Sequence, residues 1–307
     1  MGEERLPVVG WNRNGYLRLV TEQTEHMKTG APADEVIRAN VSFYREAAPK
    51  YERYESWTFD PSFQRMLAAD LDLIASHLGH VNGRRVKCLD CGGGTGNLSI
   101  RLLQRGWDVT VVDVSREMLE ILEDKCAAQG LVPRIRNCSV EEFLETDDAH
   151  YDLISFASVL HHLHSYCGVV ELAAPRLQPK GIFYSNFDPV PPKHRMMTQV
   201  FDSMDTLLAK LLFDPADVLP GIKRRVTKLV GRASLQHGRA IAGAGDLAEY
   251  HAKSGVDDAQ IVDLLKHSGF AVLEHCRYTT GRTRASQEVN RWVGLLRSFK
   301  IIAQRRH

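Results

Sequence analysis

The residues whose types and spacing could do chemistry are concentrated between Val86 and Asn97, VKCLDCGGGTGN. A short apolar run, Val86 to Leu89, breaks into glycine at Gly92, Gly93, Gly94 and Gly96, and a helix-like run follows from Leu98 to Leu103. Strand, glycine turn, helix is the layout of a nucleotide-cradling loop. Glycine lets the backbone turn tightly and approach a ligand closely, and a helix start presents unpaired N–H groups. The spacing discriminates between nucleotides. A dinucleotide fold wants G-x-G-x-x-G, with its third glycine packing helix on strand. Gly92 and Gly94 fit that pattern, but its third position is Asn97. Asp90-x-Gly92-x-Gly94-x-Gly96 fits instead.

Further polar groups follow at successive strand ends. Asp108 to Val112 reads as a second strand ending in Asp113, where an acid can accept both ribose hydroxyl hydrogens. Ser115-Arg116-Glu117-Met118-Leu119 reads as a capped helix start with Ser115 as N-cap and Met118 as an apolar wall. A third strand, Val132 to Asn137, leads to Ser139-Val140-Glu141. A fourth, Tyr151 to Phe156, leads to Ala157-Ser158-Val159-Leu160-His161-His162-Leu163. This ordered set resembles the class I S-adenosylmethionine-dependent methyltransferases, in their small-molecule (type 11, UbiE-like) branch. The glycine pattern is similar to motif I of that family, and the resemblance covers about residues 40–190 and again 257–307.

The resemblance implies S-adenosylmethionine as cofactor. Asp90 would face its cationic amino group and Gly92, Gly94 and Gly96 would cradle it. Asp113 and Val114 would take the ribose, Ser115 and Met118 the adenine side, Val140 and Glu141 the region of the adenine amine, and Ala157 the tip of strand four. Phe43-Tyr44-Arg45-Glu46-Ala47-Ala48-Pro49-Lys50-Tyr51-Glu52 resembles the segment that precedes motif I, whose aromatics close over the methionine end of the cofactor. Tyr44 and Tyr51 are the candidates for that closure; simple packing of the helix on the core is the other reading.

Methyl transfer from a sulfonium is an in-line displacement by a donor that its own charge already activates. The protein mainly holds nucleophile and methyl carbon in line, and positioning alone can contribute roughly 7–11 kcal/mol. A base is needed only where the acceptor must lose a proton. His161 and His162, after strand four, are candidates because imidazole titrates near neutrality. Asp188, after strand five, could bind a cationic acceptor or cap a loop, and Tyr250 and His251 stand where an insertion re-enters the core. The loop after strand four, Ala157-Ser158-Val159-Leu160, is not the N-P-P-Y type used on nucleobase amines, and no cysteine nucleophile stands in these loops. A small-molecule or lipid-like acceptor is therefore expected over nucleic acid. The rivals are a cofactor-binding regulatory protein without turnover, a methyltransferase acting on a macromolecule, and a nicotinamide oxidoreductase, which the glycine spacing opposes.

These residues need a frame. Alternating strands and helices from 86 to 187 imply a parallel sheet covered on both faces, with the ligand at the carboxyl ends of the strands. The alternation stops over 189–256 and returns with a helix at 257–268, a strand at 270–278, a helix at 287–296 and a strand at 298–304. The expectation is an α/β, Rossmann-like class I methyltransferase fold: a seven-stranded, mostly parallel sheet with an antiparallel last strand. Residues 1–33 read as an arm with little regular structure, 34–80 as N-terminal helices closing the cofactor site, 81–188 and 257–307 as the core, and 189–256 as a helical lid insertion. Within the lid, Gly221 to Arg232 mixes apolar and cationic residues at helical spacing, suited to weak contact with a membrane surface or to packing on the core.

Composition agrees with a globular chain. Of 307 residues, 44% are hydrophobic and 25% charged, and a net charge of +1 makes no global case for nucleic acid or membrane. No apolar run is long enough to span a bilayer, and MGEERLPVVG has no signal-peptide core. Six scattered cysteines, with Cys88 and Cys91 in a strand and turn, give no zinc spacing and suit a reduced, cytoplasmic protein without a metal site.

Overall fold

A computed structural model describes residues 32–54, 56–79, 83–192, 254–281 and 283–306, the strand residues 9–11 and 17–19, and scattered positions between 198 and 252. Within residues 1–32, strand β1 (Val9–Trp11) pairs antiparallel with β2 (Leu17–Leu19). That short pair is regular structure in a segment expected to be an arm.

Residues 33–307 form the second unit. Its strands are β3 (Lys87–Cys91), β4 (Asp108–Asp113), β5 (Arg134–Asn137), β6 (Tyr151–Ala157), β7 (Leu177–Pro189), β8 (Phe270–Tyr278) and β9 (Ser298–Arg305). They lie side by side in the order β5-β4-β3-β6-β7-β9-β8. The first five are parallel, and β9 runs antiparallel to both β7 and β8. This is the seven-stranded sheet with an antiparallel last strand that the sequence led us to expect.

The register sets the site. Cys91 pairs with Val112 and Phe156, Asp113 with Asn137, and Ala157 with Asn186. The residues following each strand therefore emerge along one edge. Helices α1 (Ala33–Ala47), α2 (Tyr51–Tyr54) and α3 (Pro61–Leu78) precede the sheet. Then come α4 (Ser99–Gln104), α5 (Arg116–Ala128), α6 (Val140–Thr146), α7 (Tyr166–Ala173), α8 (Asp258–His267) and α9 (Arg284–Trp292). Leu67, Leu71, Leu102, Leu119 and Leu122 cover one face of the sheet; Phe143, Leu144, Val170, Ile261 and Leu265 cover the other. With both faces covered, β6 is buried at six successive positions, and its two polar residues are partnered, Asp152 by Arg84 and Ser155 by Asp90.

Several boundaries differ from the sequence expectation. The helix expected at 163–177 is α7 with a 3-10 turn on either side, because Ser165 caps its start and Pro175 follows its end. The helix expected at 287–296 begins at Arg284, where Thr283 and Ser286 form a capping box, and Gly294 at φ +68° lies beyond its end. In the insertion, described positions between 198 and 205 are helical, whereas Gly221 to Arg232 lies outside the described residues. The two ends of the insertion meet: the Val256 N–H donates to the Pro189 carbonyl at 2.8 Å, and a Cβ on Gly255 would stand 2.2 Å from the Pro191 nitrogen.

Strand β7 carries one departure that shapes the site. Its register with β9 shifts between Asn186 and Asp188, and Phe187 adopts φ +70°. A buried network holds this bulge. The Lys300 ammonium contacts Asp70 at 2.5 Å, the Tyr184 and Asn186 side chains donate to Asp70, and the Tyr278 hydroxyl contacts Asn186 Oδ1 at 2.5 Å. The Phe187 N–H donates to Asn186 Oδ1 at 2.8 Å. A non-glycine residue at positive φ persists only where its surroundings over-determine it, as they do here.

Candidate functional site

A cavity open to solvent lies at the carboxyl ends of β3 to β7. Of the cofactor residues expected from sequence, Tyr44, Tyr51, Asp90, Gly92, Gly94, Asp113, Val114, Met118, Val140, Glu141 and Ala157 line it. Two do not. Ser115 is fully buried as the N-cap of α5, accepting from the Met118 N–H. Gly96 faces helices rather than the cavity: at φ +91°, its Cβ would stand 2.3 Å from Leu122 Cδ1. Both act by placing their neighbours.

The glycine turn is built for close approach. The Gly92 and Gly93 N–H groups donate to the Val112 carbonyl, tying the turn to β4. A Cβ on Gly93 would lie 2.3 Å from Val111 Cγ1. Gly93→Ala is therefore expected to cost about 1–3 kcal/mol by overpacking, read as a lowered melting temperature; an unchanged melting temperature would contradict the tight turn.

Three carboxyl groups share the cavity. Asp90 accepts from the Ser99 hydroxyl at 2.5 Å and the Ser155 hydroxyl at 2.8 Å, and burial pushes its pKa up to about 6. Asp113 accepts from the Gly94 N–H at 2.9 Å and the Ser115 N–H at 2.8 Å, and burial raises its pKa too. Burial likewise raises Glu141. Desolvated carboxyls of this kind gain most from a ligand that brings hydrogen-bond donors or positive charge.

The N-terminal segment closes the cavity's other side. Thr95 Oγ1 donates to Glu52 at 2.9 Å, Lys125 pairs with Glu52 and donates to the Thr95 carbonyl, and the rings of Tyr44 and Tyr51 stand 6.0 Å apart.

The histidine candidates part company. His162 lines the cavity; His161 does not. The Asp188 side chain is fully buried and accepts from the His161 backbone N–H at 3.1 Å and its Nδ1–H at 2.7 Å. Asp188 was a candidate for binding a cationic acceptor, and its burial makes it the cap of the loop after β6 instead. His161, expected as a possible base, is committed to that cap. For His162, the Ala248 carbonyl lies 2.7 Å from Nδ1 and can only accept, so Nδ1 carries a proton, and Nε2 lies 2.8 Å from the Tyr44 hydroxyl. Tyr250 and His251 pack on the same loop, and neither lines the cavity: the His251 N–H donates to the His161 carbonyl at 2.7 Å, and the Tyr250 ring lies 5.5 Å from that of His164.

Sequence reasoning missed Asn40, Thr58, Phe59, His164 and Phe187 on the cavity wall. For Asn40 a signal existed: it stands four residues before Tyr44, on the same helix face. Phe187 had none, because nothing in a strand-like run announces a bulge. Cys88 and Cys91 are fully buried, with thiol pKa values pushed up by burial, and none of the six cysteines forms a disulfide. Among the described residues no cluster has metal-ligand composition, and no helix is long and apolar enough to cross a membrane.

Comparison with known proteins agrees with this geometry. Residues 88–181 match the family described as "Methyltransferase domain". The chain is 28% identical over 155 residues to the ubiquinone biosynthesis O-methyltransferase of Alkalilimnicola ehrlichii, covering 49% of this chain and 61% of that one. It thus spans less than two thirds of that relative's length. It is 24% identical over 188 residues to the tRNA 5-carboxymethoxyuridine methyltransferase of Escherichia coli, covering 56% of this chain and 70% of that one. Among solved structures, the 1,6-didemethyltoxoflavin-N1-methyltransferase of Burkholderia thailandensis, crystallised with its substrate and S-adenosylhomocysteine, superposes with a TM-score of 0.51 at 19% identity. The match covers 90% of this chain and 92% of that one.

Proposed function

We infer that this chain, which belongs to the class I S-adenosylmethionine-dependent methyltransferases, transfers a methyl group from S-adenosylmethionine to a small-molecule acceptor. The observation that carries the reading is one cavity lined together by Asp90, the Gly92–Gly94 turn, Asp113 and Glu141. The site fits the cofactor: Gly93 leaves room for nothing but backbone, and three desolvated carboxyls face a molecule rich in donors and positive charge. When bound there, S-adenosylmethionine supplies an electrophilic methyl carbon on a sulfonium.

The chain's own residues do the rest. Asp113 would accept hydrogen bonds from the ribose, Glu141 would take the adenine amine, and Asp90 would support the cationic amino group. Tyr44 and Tyr51 would cover the methionine end. His162, oriented by its Nδ1–H on the Ala248 carbonyl, is in its neutral form the proton acceptor, reached through the Tyr44 hydroxyl. The acceptor's proton passes to the Tyr44 oxygen as that hydroxyl's own proton passes to His162 Nε2. The insertion supplies the Ala248 carbonyl, so it orients the base. Six free thiols fit a cytoplasmic location.

The test is incubation of the protein with methyl-labelled S-adenosylmethionine and host extract, followed by fractionation. Label in solvent-extractable material is the expected result. Label in RNA would transfer the chain to the substrate class of its tRNA-modifying relative. Cofactor binding without label in any fraction would favour a binding protein without turnover.

A pH dependence follows from Asp90. Burial raises its pKa to about 6. The folded protein then binds more protons than the unfolded chain between about 4 and 6, so the contribution of Asp90 to stability falls as pH rises through that window. Binding a cationic amino group requires the ionised form. Affinity for S-adenosylhomocysteine should therefore weaken by about ten-fold per unit of pH below about 6. Calorimetry in two buffers should show proton release at pH 5.5; an affinity flat from pH 5 to 7 would exclude the role.

A further inference from the structure

The sheet order divides the cavity into two halves. Strands β4 and β5 lie on one side of β3, and β6 and β7 on the other. The glycine turn, Asp113 and Glu141 belong to the first half. Leu163 and Phe187 belong to the second, with Val36, Ile37 and Asn40 contributed by α1. Asn40 joins this second half through its bond to the loop after β6.

Asn40 stands one helical turn from Val36 and one from Tyr44, so all three share the face of α1 that lines the cavity. It is 7% exposed. Its amide nitrogen donates to the Val36 carbonyl at 3.1 Å and to the His162 carbonyl at 3.2 Å. Neither carbonyl can donate, so the amide has one allowed orientation. The oxygen, Oδ1, is left shielded from water and without a hydrogen-bond partner. A buried amide oxygen without a donor is costly, and native structures hold few of them. Asn40 lines the cavity, so a ligand that shifts this side chain enough to bring a donor to Oδ1 removes that cost.

We propose that Asn40 is a specificity-determining residue whose Oδ1 accepts a hydrogen bond from a hydroxyl on a neutral, otherwise apolar methyl acceptor. The proposal rests on the methyltransferase reading above. The apolar frame comes from Val36, Ile37, Phe59, Leu163 and Phe187. Neutrality follows from where the charges stand. The carboxyls of the described lining are Asp90, Asp113 and Glu141, which serve the cofactor half, and the described lining contains no lysine or arginine. An ammonium in the second half would be desolvated without a counter-charge from the described residues of that half, and a phosphate would face only His162 and His164. A hydroxyl needs none. The bond from Asn40 to the His162 backbone also sets this recognition oxygen in one frame with the Tyr44–His162 pair.

The test uses two probes of nearly the same shape, 2-naphthol and 2-methylnaphthalene, titrated into the protein saturated with S-adenosylhomocysteine. The first carries a donor and the second does not. Wild type is expected to bind 2-naphthol roughly ten-fold more tightly. Asn40→Leu should reduce that ratio to below about two-fold, with its affinity for S-adenosylhomocysteine unchanged. Asn40→Ala serves the same purpose if the leucine variant does not fold. Equal affinities in wild type, binding of neither probe at millimolar concentration, or a ratio that survives both substitutions would overturn the proposal. Loss of S-adenosylhomocysteine affinity in the variants would overturn it too, by reassigning Oδ1 to the cofactor. Failure of wild type to bind S-adenosylhomocysteine at all would instead sink the methyltransferase reading.

Discussion

Asp113→Ala should weaken binding of S-adenosylhomocysteine by at least ten-fold, and by about a hundred-fold if two ribose bonds are lost, since each hydrogen bond to a charged acceptor contributes ~1.5–3 kcal/mol. The side chain is aimed before the ligand arrives. One oxygen holds the Gly94 N–H and the other the Ser115 N–H, which fixes the carboxylate plane against the glycine turn and the start of α5. Each oxygen keeps a second lone pair for a hydroxyl. Alanine removes both, and it also releases the turn that approaches the cofactor. Asp113→Asn separates these effects, because an amide can still accept from one backbone N–H but not from both. Its affinity should fall between the other two proteins. Calorimetric affinities that match wild type for both variants would remove Asp113 from the ribose.

His162→Ala should lower kcat by roughly 10²–10⁴-fold on an acceptor that loses a proton, the usual contribution of a positioned base. Tyr44→Phe should follow it, because it keeps the ring against Phe43 and Tyr51 while removing the hydroxyl that contacts Nε2 at 2.8 Å. The two losses should not add, since the residues act in one chain. Affinity for S-adenosylhomocysteine should change little in Tyr44→Phe, and its melting temperature should stay close to that of wild type. These readouts distinguish a proton path from a packing role. A kcat within about three-fold of wild type in both variants would remove the base and leave positioning as the source of the rate.

The two predictions draw on different kinds of information. Asp113 is legible in the amino-acid sequence because its signal is local: a run of β-branched residues, an acid at its end and a capped helix start immediately after. The same holds for Asp90, the glycine turn, Val140 and Glu141. The partnership of Tyr44 with His162 crosses 118 residues and ends on a carbonyl at Ala248. Periodicity places each of them on an element, but no local pattern states which distant faces meet. Between the two adjacent histidines the sequence leaves the choice open. A single residue of phase in the loop after β6 turns His161 into a buried partner of Asp188 and leaves His162 on the cavity wall.

By itself the sequence determined the parallel sheet, the edge on which the cavity lies and the residues of the half that we propose takes the cofactor. Each of these follows from short-range propensity and from the right-handed crossover that brings successive strand ends to one side. Only the tertiary structure decided the half that we propose takes the acceptor. It is assembled from α1, the loop after β6 and the bulge at Phe187, segments whose mutual register is set by packing. The bulge shows the reason most directly. Phe187 reaches the cavity because Asp70, Tyr184, Tyr278 and Lys300, up to 230 residues apart, close one buried polar network around Asn186. Those groups had to be satisfied together once buried, and that constraint exists only after the chain has folded.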